Sequence, residues 1–371
     1  MTQFRFSVSL STSFQGIVVL LFLTVLSSTA YGQIGGQNTY DFLNLSPSAR
    51  LNAIGGMNVS IFDEDVTMAY MNPALTNDSM DGQLFLSYSP FMAGINYGYS
   101  GYAKSFDGIG NFHAGIKYFN SGTQVQADPS GTITGSFSSS EAVLTVGGSR
   151  TLVNDQFRYG LNVKYIFSNL APGFTSSGLA VDLGGSYVSK SRLFSAGLVL
   201  KNIGTQFNTY TGAGNVEPLP FQIVAGISNK LRYMPLRFSV TLVQLENPNL
   251  IYDDPNAEVQ LDLNGEPIQQ GSQLPDQIFR HVVFGGEFLL GKGFRLRGGY
   301  NHMRRQELRS QNRAGLSGFS MGVGIRSESK NFGLDYGYSS FGAASQFNAH
   351  QFSLRIGLGR SSSKAKTKQA G

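Results

Sequence analysis

From Gln83 onward the chain repeats one pattern: about ten residues of alternating apolar and polar character, then a break rich in Gly, Ser, Asn, Asp or Pro. The clearest stretch runs from Gln156 to Ser168. Phe157, Tyr159, Leu161, Val163, Tyr165 and Phe167 fall on one face, and Arg158, Gly160, Asn162, Lys164 and Ser168 on the other. Side chains of a β-strand point alternately to opposite faces, so this spacing predicts a strand with one greasy and one wet side.

Read this way, the chain holds strands near Gln83 to Ser89, Gly94 to Lys104, Gly110 to Asn120, Ala142 to Thr151, Gln156 to Ser168, Gly178 to Ser189 and Leu193 to Asn202. Seven more follow at Phe221 to Lys230, Leu236 to Leu245, His281 to Leu290, Phe294 to His302, Leu316 to Arg326, Phe332 to Ser340 and His350 to Leu358. About fourteen strands is an even number, which returns both ends of a closed barrel to one side. Breaks after even-numbered strands are short: Ser105 to Ile109, Leu152 to Asp155, Lys190 to Arg192, Leu231 to Pro235, Gly291 to Gly293 and Ser327 to Asn331. Breaks after odd-numbered strands are mostly long, including Ser121 to Glu141, Ile203 to Pro220, Glu246 to Arg280 and Met303 to Gly315.

This rhythm belongs to a transmembrane barrel with short turns at one end and long outer loops at the other, not to a soluble Greek-key sandwich. Aromatic residues crowd the apolar faces near strand ends, as interfacial girdles require; the chain has no Trp, so Phe and Tyr form them alone. The expected fold is therefore all-β, a transmembrane outer-membrane β-barrel of about 14 antiparallel strands. Closure leaves no unpaired strand edge in hydrocarbon. A barrel this wide encloses a lumen that wall side chains alone do not fill, so water, a ligand or a plug must occupy it.

Composition adds an address. After Arg5 comes an apolar run from Ile17 to Leu26, broken only by Thr24, and then small and polar residues to Gly32. That is the order of a secretory signal, with Ala30 and Gly32 placing cleavage before Gln33. The run of about ten residues falls short of the roughly 20 needed for a membrane-spanning helix. Residues 1–32 are thus expected to be a signal peptide, 33–81 a non-alternating hatch or plug, 82–358 the barrel and 359–371 a basic tail carrying Lys364, Lys366 and Lys368. With no cysteine, neither a disulfide framework nor a thiolate metal site is possible. Part of the net charge of +5 sits in that tail, which has no aromatic platform, so nucleic acid is not an expected partner.

The segment 33–81 contains Ser46-Pro47-Ser48-Ala49-Arg50-Leu51-Asn52-Ala53, a candidate helical turn, then Gly55-Gly56, the acidic run Asp63-Glu64-Asp65 and Asn72-Pro73-Ala74. This order resembles the N-terminal hatch of FadL-type outer-membrane proteins, a fourteen-stranded family that carries hydrophobic substrates. Tyr40-Asp41-Phe42-Leu43, Ser46 to Arg50, Asp65 to Tyr70, Leu86 to Phe91 and Arg295 to Asn301 are more specifically similar to the PorQ-like barrels of the type IX secretion system. The resemblance covers nearly the whole mature chain. Many barrels end on an aromatic residue read by the insertion machinery, whereas here Leu358 leads into the polar tail.

The narrower resemblance implies an outer-membrane scaffold that holds a soluble surface partner, a PorZ-like protein, with other attachment-complex members, for processing cargo and joining it to lipopolysaccharide. The wider one implies a transporter of long-chain fatty acids or other hydrophobic compounds. Arg50, Gly55, Gly56, Asn72 and Pro73 are the expected structural residues of the hatch.

The sequence shows no catalytic constellation. His113, His281, His302 and His350 fall on four different strands or their ends without paired spacing, so no metal site is expected. No nucleophile elbow or phosphate-binding loop stands in a strand-turn-helix setting, and no cofactor or enzymatic activity is expected. Gly147-Gly148 and Gly184-Gly185 lie inside strands, where glycine relieves curvature or admits a close neighbour. The acidic run lacks the alternating ligands of a calcium loop. Two outer loops carry candidate partner contacts. Leu250, Tyr252, Asp253 and Asp254 lie in the longest. Arg304, Arg305, Arg309 and Arg313, with Glu307 alone opposing them, suit phosphate on lipopolysaccharide.

Overall fold

Fourteen of the alternating segments become strands, each hydrogen-bonded antiparallel to its neighbours in a single sheet that closes on itself. The computed structural model describes residues 38–152, 155–212, 214, 216–251, 274–291, 293–308, 316–327, 331–341 and 348–358. The expected signal peptide and basic tail lie outside the described residues, as do Tyr252, Asp253, Asp254 and Arg309. Among the described residues no helix is long and apolar enough to cross a membrane.

The wall begins with β1 (Gln83–Pro90), β2 (Asn96–Phe106) and β3 (Gly110–Asn120), followed by an outer hairpin of β4 (Gln124–Ala127) and β5 (Ile133–Phe137). It continues with β6 (Ser140–Thr151), β7 (Phe157–Ala171), β8 (Phe174–Val188), β9 (Phe194–Asn208), β10 (Gln222–Lys230) and β11 (Leu236–Leu242). It ends with β12 (Val282–Leu290), β13 (Phe294–Asn301), β14 (Phe319–Arg326), β15 (Phe332–Ser340) and β16 (Asn348–Gly357). β3 pairs with β6 past the hairpin, and β1 pairs with β16 from Gln83↔Gly357 to Tyr88↔Phe352, closing the barrel.

On β7 the two faces separate as the alternation requires. Phe157, Tyr159, Leu161, Val163, Tyr165 and Phe167 are 40–55% exposed, while Arg158, Asn162, Lys164 and Ser168 are buried inside. Apolar side chains that stay exposed while lysine and arginine are buried invert a soluble core and match a wall facing lipid.

Several boundaries differ from the alternation pattern. β2 starts at Asn96 because Gly94 sits in a left-handed turn. β7 and β8 run 15 residues each and join through Pro172-Gly173 alone, so the wet segment between them is strand rather than loop. β9 continues to Asn208, and β13 stops at Asn301 because His302 opens a short helix. The hairpin β4–β5 falls within Ser121 to Glu141, one of the long breaks expected to be an outer loop.

The chain before β1 passes through the lumen. Thr39 N donates to Pro218 O at 3.0 Å, and the Tyr40 and Ser176 hydroxyls bond each other, both at the loop end of the barrel. Asp81 accepts from Ser105 N at 2.9 Å at the turn end. Between these points lie α1 (Ala49–Ala53), capped by the Ser48 side chain, and α2 (Val66–Met71), capped by Asp65. Leu51, Ile54, Ile61, Met68, Tyr70 and Leu75 of this plug are buried against one another and against wall residues such as Phe85, Tyr99 and Val283.

Candidate functional site: the plugged lumen

Arg50 sits in α1, and burial strips its guanidinium of water, so every donor must find an acceptor. Nε and Nη2 donate to Glu287 Oε1 and Oε2 of β12, both at 2.9 Å, in a two-pronged fork. Nη2 also donates to Asp63 Oδ2 at 2.7 Å, and Nη1 reaches Asp63 and Asp65 at 3.1 Å. Arg237 of β11 bridges Asp63 and Glu287, and Arg297 of β13 bridges Glu287 and Asp335 of β15. Arg326 of β14 binds Asp335, and Arg355 of β16 meets Glu64 and Asp65. Five guanidinium groups thus face five carboxylates. The acidic run 63–65 is consumed as the plug's latch to the wall. Burial alone would raise the Asp63 carboxyl, yet Arg50 and Arg237 hold it well below the usual carboxylate range.

A second polar cluster lies higher in the lumen. Lys117 of β3 donates to Leu43 O at 3.1 Å, to Leu45 O and to Tyr70 Oη of the plug. Lys164 of β7 binds Asp182 of β8 and Asn202 Oδ1 of β9, each at 2.8 Å, with its ammonium over the Tyr70 ring. A bulge between β8 and β9 turns Lys201 and Asn202 inward together, with Asn202 in the left-handed region at φ 59°. Lys201 is fully buried, and its Nζ has no hydrogen-bond partner among the described residues.

Lumen-facing glycines leave room for the plug backbone. A Cβ at Gly337 would collide with the Ala49 carbonyl, one at Gly184 with the Asn72 side chain, and one at Gly160 with the backbone of Pro73. Asn72 itself donates to Val59 O at 2.9 Å and Gly185 O at 3.2 Å and accepts from Ala74 N at 3.0 Å, which fixes the Asn72-Pro73 turn against the wall. Gly55 and Gly56 adopt positive φ (102° and 95°) where the plug leaves α1 beneath Val283 and Arg304.

The outer-loop candidates separate. Leu250 is buried, and its carbonyl accepts from Arg280 Nη1 at 3.4 Å. Arg304 turns inward, its guanidinium 4.5 Å from the centre of the Phe341 ring, and Arg305 packs beside Gly318. The short helices α3 (Leu274–Arg280) and α4 (His302–Glu307) are tied by Asp276 and His302 Nε2 at 2.8 Å, with Tyr300 Oη on His302 Nδ1 at 2.9 Å. His113 faces the lumen, its Nδ1 3.0 Å from Thr76 Oγ1.

The wall residues Glu287, Arg237, Arg297, Arg326, Asp335 and Arg355 had one signal in the sequence. Each is a charged residue on the wet face of an alternating strand, where a water-filled lumen and a plug latch look alike.

These features define a closed 14-strand antiparallel β-barrel whose lumen is filled by the segment that precedes its first strand. The chain is similar to the solved structure of a TodX monoaromatic hydrocarbon channel mutant, at 14% identity over 84% of this chain and 98% of that one, with a TM-score of 0.51. It is also similar to the P. putida toluene transporter TodX, at 12% identity over 85% and 97% with a TM-score of 0.45. A Pseudomonas aeruginosa FadL homologue matches at 11% identity over 89% and 100% with a TM-score of 0.47. No protein-family model matches the sequence, and no curated protein matches it.

Proposed function

We propose that this chain is a gated outer-membrane channel for small hydrophobic molecules, with the segment 38–81 as its gate. The observation that carries this reading is the way the plug is held. It crosses the lumen from end to end, joined to the wall by ion pairs and by hydrogen bonds in which a side chain of plug or wall takes part, while the wall closes through its own backbone ladder. The gate can therefore shift without opening the barrel. The likeness in fold to a monoaromatic hydrocarbon channel agrees with this reading.

The test uses the absence of cysteine from the sequence. Ala49 N donates to Ser353 Oγ at 2.9 Å, so Ala49→Cys with Ser353→Cys places two thiols where plug meets wall. In proteoliposomes, influx of a fluorescent long-chain fatty acid and of toluene is measured before and after oxidation. Influx that oxidation stops and reduction restores supports the gate. No influx of either probe, or influx indifferent to the cross-link, overturns it.

A second reading rests on the loop end. Leu274 and Ile278 of α3 and Val125 and Ile133 of the hairpin are apolar, exposed and clear of the wall. Such a surface suits a scaffold that holds a soluble protein, as in the PorQ-like barrels of type IX secretion with their PorZ-like partner and lipopolysaccharide-linked cargo. A stoichiometric soluble protein recovered with the tagged chain, and lost in Leu274→Ser with Ile278→Ser, supports the scaffold. An unchanged protein profile removes it.

A further inference from the structure

A cavity of about 170 Å³ opens at the turn end of the lumen, between the latch and the lower wall from β10 to β16. Its lining includes all five guanidinium groups of the latch but only Asp63, Glu64 and Glu287 of its five carboxylates; within the latch as a whole the two sets balance. It also includes Lys230 and Arg295, which the balance leaves over. Both lie at lumen-facing positions of β10 and β13. Among the described residues neither is paired with a carboxylate, and Arg295 Nη1 donates to the Phe294 carbonyl of its own strand. Arg355, only 2% exposed, also lines the cavity, and its Nε has no hydrogen-bond partner among the described residues. Three basic side chains from three strands thus converge on one small polar space with donors to spare, two of them outside any ion pair among the described residues.

We propose that this cavity is a binding site for a phosphate-class oxyanion. The guanidinium fork matches the oxygen spacing of phosphate, and donors arriving from separate strands suit a tetrahedral ligand better than a planar one. A bound oxyanion offsets the surplus charge beside the latch and ties together three strands of the wall. The site stands independently of any transport role, since it concerns the charge balance of the wall at the turn end and not what passes the gate. The oxyanion is either free phosphate or the headgroup of an anionic phospholipid at that membrane face.

The experiment measures thermal unfolding and binding heat of the full chain in phosphatidylcholine nanodiscs, titrating inorganic phosphate against chloride at fixed ionic strength. The wild-type chain is compared with Arg295→Gln carrying Lys230→Gln, which leaves every ion pair of the latch intact. Saturable stabilisation by phosphate but not chloride, with affinity weakened about tenfold or more in the double variant, about 1.4 kcal/mol, supports the site. Phosphatidylglycerol discs form the second arm. Stabilisation there that free phosphate displaces, and that the double variant loses, supports the site with a headgroup as its source. Equal responses to phosphate and chloride in both disc types, or responses unchanged by the double variant, overturn it.

Discussion

Arg50 and Glu287, 237 positions apart in the sequence, meet in a two-pronged fork with both N···O distances at 2.9 Å. One belongs to the plug and the other to the wall, so this pair joins the two parts more directly than any apolar contact does. Net stability from a buried ion pair is small, because desolvation offsets most of the attraction. Removing one partner is another matter, since it strands the other charge.

Arg50→Ala should therefore destabilise the seated plug by about 3–5 kcal/mol, leaving Glu287, Asp63 and Asp65 short of a cation. Planar-bilayer recordings should show larger and noisier conductance than wild type, while folded mobility on a gel persists because the ladder is untouched. Arg50→Lys should restore the charge but not the fork and fall in between. Wild-type conductance in Arg50→Ala would mean that apolar packing alone seats the plug.

Acid should open the same latch. Asp63 lies in the plug and not in a membrane-spanning strand, and its folded value sits well below its ordinary 3.8 because Arg50 and Arg237 outweigh burial. A carboxylate depressed on folding contributes stability above its ordinary value and loses it as pH falls through the folded value. Conductance should stay flat from neutral pH down to about 4 and rise below that. Asp63→Asn should conduct more at neutral pH and lose much of the acid response.

Close approach of backbones supplies a steric test. Gly337→Val would press a side chain into the Ala49 carbonyl, whereas at Gly298 on β13 an added Cβ meets nothing within 4 Å. Overpacking at the first site should cost about 1–3 kcal/mol and expose the plug to added protease; the second should behave as wild type. Equal protease sensitivity of the two variants would show that the plug does not rest on Gly337.

The strands were legible because a lipid-facing wall demands strict alternation, and Phe157 to Phe167 supply it without interruption. Where lipid no longer constrains the chain, the signal fades. β4 and β5 carry no continuous apolar face, and β7 to β9 extend through polar residues, so both read as loop. Arg50 and the acidic run stood out locally, but their wall partners depend on closure, which pairs β1 with β16 and brings Arg355 beside Asp65. Gly184-Gly185 was open to two readings, curvature or a close neighbour, and Asn72 against Gly184 decides for the neighbour. Leu250 and Arg304 sit in loop sequence yet turn inward, an orientation that loop composition does not encode.

Lys201 supplies the last test, and its sign runs opposite to that of Arg50. Lys117 and Lys164 each have acceptors, and Asp182 is already engaged by Lys164 and by Asn202 N at 2.8 Å. Lys201 is fully buried, and among the described residues its Nζ meets no hydrogen-bond acceptor. A buried polar group left in that state costs roughly 1–3 kcal/mol, and a charged one costs more. Methionine keeps the length and shape of the side chain without the charge. Lys201→Met should therefore raise the unfolding temperature, while Lys164→Met, which leaves Asp182 without its cation, should lower it. Destabilisation by Lys201→Met instead would show that the ammonium is stabilised in the native protein by something besides the residues around it.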